Sequence, residues 1–150
     1  MKKFKFSLDK LKKYKEQILE AEKNSLGILR KELNELNDEL NALIKLIDLK
    51  SDELEYIMIK GITPSDLASR KRFITVKQQE AHEMRRLITL KEREIERQLN
   101  VVIEATKEVN TLEKLEERQL EEYRHKEMKE QELFIEEFVG NCEQRKEANA

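Results

Sequence analysis

An all-α fold, specifically a long antiparallel two-helix coiled-coil hairpin with a C-terminal helical overhang, follows from three features of this sequence. Helix breakers are scarce, with three glycines and one proline in 150 residues. Apolar residues recur every seven positions over most of the length. A strong turn signal occurs once, at Gly61-Ile62-Thr63-Pro64-Ser65-Asp66. Charged residues make up 41% and hydrophobic residues 38%, without tryptophan. Such a chain cannot bury a thick globular core, but it can bury a narrow seam between two helices.

The turn divides the chain. Gly61 can end a helix in a left-handed conformation. Thr63 can cap the next helix, with Pro64 at its first position, where a missing N–H costs nothing. Asp66 stands three residues after Thr63, a weak capping box that also suits the helix dipole. The expectation is a single domain: a first helix over about 7–60, a turn at 61–63, a second helix over about 64–139 ending before Gly140-Asn141, and a flexible tail at 140–150. At about 1.5 Å per residue the helices are roughly 80 and 110 Å long. Helices this long and polar persist in water mainly by pairing.

The seam can be read from the heptads. In the first helix Leu26, Leu33, Leu40, Ile47 and Leu54 form one column. Leu29, Leu36, Leu43 and Ile57 form the second, with Lys50 the exception. In the second helix the column is Leu67, Ile74, Ala81, Ile88, Ile95, Val102 and Val109. Its companion is weaker: Arg70, Lys77, Met84, Lys91, Gln98, Ala105 and Leu112. Folding at Ile62 sets Ile57 opposite Leu67, Leu43 opposite Ala81, Leu36 opposite Ile88 and Leu29 opposite Ile95. Nearer the start the apolar positions Leu8, Leu11, Tyr14, Ile18 and Ala21 match Leu115, Leu112, Val109, Ala105 and Val102 only after a slip of one residue. An irregularity near Ser25–Gly27 would absorb that slip, and Gly27 is a cheap place for it.

The same pairing sets Phe4 opposite Gln119 and leaves residues after Leu120 without a partner. That arm nevertheless carries Leu120, Tyr123, Met128, Leu133, Phe134, Ile135 and Phe138. An unpaired helix with these residues needs another protein, or it frays. Two further apolar sets lie outside the seam. Tyr56, Met58, Ile59, Ile62 and Phe73 surround the turn, where local packing is the competing explanation. Phe4 and Phe6 stand at the start.

Charge and chemistry narrow the function. Net charge is −2 and the pI about 5.9, which argues against nucleic acid, whose binders need surplus Lys and Arg. Residues 1–15 hold seven lysines and one Asp9, and residues 113–137 are predominantly acidic. In a hairpin these regions are neighbours and neutralise each other; an anionic membrane surface or an acidic partner is the alternative reading. The single Cys142 excludes an internal disulfide framework and fits a reducing compartment. No apolar run reaches the length of a signal peptide core or a membrane span. Glu122 and His125 form one E-x-x-H pair, whereas a di-iron bundle needs two such pairs and further glutamates on four helices. His82 and His125 lie outside any HExxH, and there is no Gly-rich phosphate loop. Two helices offer no pocket to perturb carboxylate pKa values. The expectation is a binding protein and not an enzyme, without cofactor, metal or small-molecule substrate.

With these residues in place, the chain resembles the flagellar export protein FliJ family. The resemblance covers nearly the whole chain. It rests on the basic-aromatic opening Lys2-Lys3-Phe4-Lys5-Phe6-Ser7-Leu8 with Leu11 and Tyr14, and on the turn from Lys60 to Leu67. It rests also on Ala105, Thr111-Leu112-Glu113-Lys114-Leu115-Glu116-Glu117-Arg118 and Tyr123, and on the acidic, Phe-containing stretch Glu130 to Phe138. Gln131-Glu132-Leu133 stands where an acidic Asp-Glu pair is more usual in the family.

The resemblance implies a cytoplasmic component of the flagellar type III export apparatus, associated peripherally with the inner membrane at the basal body. It implies a hairpin whose paired ends enter the hole of a hexameric export ATPase, like the central stalk of a rotary ATP synthase, and which also meets the export gate and export chaperones. On that reading Phe4, Phe6, Leu8, Leu11, Tyr14, Leu112, Leu115, Leu120, Tyr123, Leu133, Phe134 and Phe138 face the ATPase. Tyr56, Met58, Ile59, Ile62 and Phe73 face the gate or chaperones, and the hairpin alone is monomeric. The alternatives are the equivalent stalk of a virulence injectisome and a passive coiled-coil scaffold.

Overall fold

The computed structural model describes residues 2–149. It contains two helices, α1 (Asp9–Lys60) and α2 (Pro64–Ala148), and no strand among the described residues. The fold is all-α. The chain divides into two compact units. One comprises Glu20–Ile103, and the other pairs Met1–Leu19 with Glu104–Ala150.

In the first of these units the turn forms as the local chemistry dictates. Gly61 takes a positive φ of 107°, and its N–H donates to the Ile57 carbonyl at 3.0 Å, closing α1. The Asp66 N–H donates to Thr63 Oγ1 at 3.3 Å, and the Leu67 N–H to the Thr63 carbonyl at 3.0 Å. Thr63 therefore caps α2, with Pro64 at its first position. The Asp66 carboxylate does not return to the cap; it pairs with Arg70 Nε at 3.4 Å.

The seam residues read from the heptads are all buried or half-buried, the polar ones included. Leu26, Leu54, Ala81 and Ile88 are buried, while Lys50, Arg70, Lys77, Lys91 and Gln98 are half-buried. Polar residues are tolerated there because their heads find partners. Lys91 Nζ donates to Glu32 Oε2 across the pair at 2.8 Å and also to Glu94. Gln98 Nε2 donates to the Glu22 carbonyl at 3.0 Å and to its carboxylate.

α1 begins at Asp9, within two residues of the expected start, with Ser7 and Leu8 in a turn. One expectation about α1 is corrected. The slip near Ser25–Gly27 is absent. The half-buried positions preceding buried Leu26 include Lys12, Lys15, Leu19 and Glu22, which continue the heptad backwards without interruption. Leu11 and Tyr14, assigned to the seam by their apolarity, are 41% and 58% exposed, and Leu8 and Ala21 are exposed too. An unbroken helix keeps every backbone hydrogen bond. Lys12 and Lys15 fit the seam by laying their stems along it.

The end of α2 is also corrected. The helix continues through Gly140-Asn141 to Ala148, where a flexible tail was expected after Val139. Gly140 keeps a negative φ. A glycine ends a helix when it turns left-handed; inside one it costs only about 1 kcal/mol.

Candidate partner-binding surfaces

The unit built from the two ends of the chain is assembled by residues 2–6, an irregular strap ahead of α1. Phe6 is buried and its carbonyl accepts the Asp9 N–H at 3.2 Å, fixing the entrance to α1. The Phe4 ring packs on Tyr123 with centroids 5.5 Å apart. Tyr123 Oη donates to the Lys2 carbonyl at 2.5 Å. Phe4 therefore sits a helical turn beyond Gln119, its expected neighbour, and Tyr123 is not partnerless. Extended chain advances about 3.3 Å per residue against about 1.5 Å in a helix, so a short strap reaches further along α2 than helical pairing allows.

Behind the strap, Lys12 Nζ donates to Glu116 Oε2 at 2.6 Å and Lys15 Nζ lies 2.9 Å from Glu108 Oε2. The hydrogen bond that Lys12 donates to Glu116 holds the Lys12 ammonium above its usual pKa, with burial opposing. The basic opening and the acidic later part of α2 thus meet directly through Lys12 and Glu116.

The candidate residues for the ATPase separate by burial. Phe6 and Leu112 are buried and support the surface from beneath. Phe4, Leu115, Leu120 and Tyr123 are half-buried. Leu8 in the turn ahead of α1 and Leu11 and Tyr14 on α1 are exposed, as are Leu133, Phe134 and Phe138 on α2. Phe134 is the most open of these, at 70%. From Met128 to Val139 every residue of α2 is exposed, with Met128, Ile135 and Val139 adding to its apolar surface. Among the described residues, no hydrogen bond or ring contact joins this arm to α1.

In the unit containing the turn, Ile59 is 86% exposed and Tyr56, Met58 and Phe73 are also exposed, whereas Ile62 is half-buried. Local packing therefore does not consume this set. Lys60 Nζ stands 4.6 Å over the Tyr56 ring and Lys77 Nζ 5.5 Å over Phe73. A cavity of about 260 Å³ beside Phe73 is lined by Lys50, Asp66, Ser69, Arg70 and Ile74. Ile28, Leu49, Leu87 and Leu90 are also exposed in the same unit. They flank the heptad columns, and a period-based reading absorbs such neighbours into the seam.

Among the described residues there is no group of three or more His, Cys, Asp or Glu arranged to hold a metal, and no helix long and apolar enough to cross a membrane. Glu122 and His125 are both exposed. What the two units offer is exposed apolar and aromatic surface framed by charge, which suits recognition of protein surfaces.

The sequence matches the family model described as Flagellar FliJ protein over residues 4–148. No curated protein and no solved structure matches it.

Proposed function

Because this chain belongs to the flagellar FliJ family, and so is a component of the flagellar type III protein-export apparatus, we propose that it serves as the stalk of the export ATPase ring. The observation that carries this reading is the α2 arm beyond Tyr123, which is helical, unpaired and lined with exposed Phe134 and Phe138. A helix with such residues open to water is stabilised when a partner covers them. A ring of ATPase subunits around the arm would do so, and mixed charge along the arm would keep each contact weak enough to change during turnover.

The strap and the 8–14 stripe of α1 form the base of the arm and complete the ATPase surface. The turn surface, with Tyr56, Met58, Ile59 and Phe73, is left for the export gate at the inner membrane or for export chaperones. The protein then works in the cytoplasm, beside the membrane face of the basal body, and binds and organises other proteins without a chemical step of its own.

The test is the ATPase rate and ring formation of the cognate export ATPase with and without this protein. Stimulation is expected from the full chain and not from a chain ending at Lys126, which spares Tyr123 and the seam. Full stimulation by the shortened chain sinks the arm assignment. Absence of any binding by the full chain favours a passive scaffold.

A further inference from the structure

We propose that two copies of this chain exchange C-terminal arms, each arm lying along the 8–18 stripe of α1 in the other copy. The stripe and the arm are both open, and their chemistries are complementary. Leu8, Leu11, Tyr14 and Ile18 recur at helical spacing, with all but Ile18 exposed. The outer edge beyond Tyr14 carries Lys10, with Lys13 further round the helix and paired with Asp9 Oδ2 at 3.1 Å; both lysines are exposed.

The arm presents the reverse. Met128, Ile135, Phe138 and Cys142 share one helical face, with Phe134 beside them. Residues 127–143 hold six acids and the single base Lys129. Glu127 lies within this face, between Phe134 and Phe138, and four of the other acids flank it: Glu130 and Glu137 beyond Phe134, Glu132 and Glu136 beyond Met128. An acid-bordered apolar face against a lysine-bordered one gives burial together with opposite charge across the contact. At about 1.5 Å per residue the stripe runs roughly 15 Å and the arm face roughly 21 Å, so the two overlap for several turns.

A chain cannot satisfy itself. The arm is the direct continuation of α2 through Ala148, and no positive-φ residue inside α2 lets it fold back onto α1. An anionic lipid surface suits the lysine-bordered stripe but repels the acidic arm. A second copy answers both surfaces at once. The exchange is reciprocal, each copy giving an arm and receiving one, so it closes at two. The exchange covers the same arm and stripe that the stalk reading gives to the ATPase, so it is the form of the chain outside the ring, and it is measured on this chain alone.

The test is sedimentation velocity of the full chain over a dilution series at low and high salt, with a charge exchange. One variant combines Lys10→Glu with Lys13→Glu, and the other Glu136→Lys with Glu137→Lys. All four positions are exposed, and circular dichroism checks that helicity is kept. The wild type is expected to dimerise at low salt and to dissociate as salt rises. Each variant alone should self-associate at least about tenfold more weakly, since arm and stripe then repel. Mixed in equal amounts, the two variants should dimerise again, because each arm meets a stripe of opposite sign. A wild type that stays monomeric at every concentration overturns the proposal. So does a dimer indifferent to both variants, or variants that weaken association without recovery on mixing.

Discussion

Tyr123 donates a 2.5 Å hydrogen bond to the backbone carbonyl of Lys2 while its ring receives Phe4. One side chain deep in α2 thus anchors the opening of the chain. Tyr123→Phe keeps the ring contact and removes one partly exposed hydrogen bond, for a loss of about 0.5–1.5 kcal/mol in strap docking. Tyr123→Ala removes both and should loosen residues 2–6 further. Amide exchange over residues 2–8 and tryptic cleavage after Lys5 read this directly. Unchanged rates in Tyr123→Ala would mean that buried Phe6 alone holds the strap.

Lys12 and Lys91 give the hairpin an alkaline signature. The Glu116 hydrogen bond raises the Lys12 pKa above 10.5, and the Glu32 and Glu94 hydrogen bonds do the same for Lys91. A raised pKa means that folding favours the charged form. The contribution is therefore full below the unfolded lysine value and is lost as pH rises through the folded value. Glu83 has the opposite sign: its hydrogen bond from Arg86 lowers its pKa below 4.5. Its contribution is present above the unfolded value and lost as pH falls through the folded one. Thermal midpoints measured from neutral to strongly alkaline pH should fall more steeply for wild type than for the Lys12→Met, Lys91→Met double variant. Parallel curves would deny the two ion pairs any linkage to folding.

The heptad that runs unbroken into α1 makes a stability prediction that the slipped register would reverse. Leu26 is buried and Leu11 is 41% exposed. Leu26→Ala should cost roughly 2–4 kcal/mol, as buried leucine truncations do. Leu11→Ala should cost less than about 1 kcal/mol. Urea unfolding of the two variants measures both. Equal losses would return Leu11 to the seam.

How far the sequence could be read depends on which force placed each residue. The period of seven put Lys50, Arg70, Lys77, Lys91 and Gln98 in the seam despite their polarity, and all five are half-buried there. Periodicity is a property of the helix and does not depend on any single side chain. The opening was misread because apolarity favours Leu11 and Tyr14, while a lysine stem can occupy the same groove if its head reaches an acid, as Lys12 reaches Glu116. The charge segregation brings the two regions together, but nothing in the order of residues reveals which lysine meets which acid. The strap was misplaced because its reach depends on extended backbone, which carries no period. The arm's exposed aromatics were legible, because Phe134 and Phe138 lie beyond any partner that the pairing could supply. Sequence periodicity does not specify the partner that covers them.

The three glycines should respond to alanine with opposite signs. An added Cβ would meet nothing within 4 Å at Gly27, Gly61 or Gly140, so sterics against neighbours drop out and backbone conformation decides. Gly61 has a φ of 107°, a region that an L side chain resists, and Gly61→Ala should destabilise by about 1 kcal/mol or more. Gly27 and Gly140 lie inside helices without positive φ. Gly27→Ala should stabilise by up to about 1 kcal/mol through helix propensity and reduced freedom of the unfolded chain. Gly140→Ala acts on the unpaired arm, so its gain should appear as slower amide exchange around residue 140 more than as a higher global midpoint. A destabilised Gly27→Ala would point to a distortion in α1 at that position and reopen the case for an irregularity near Ser25.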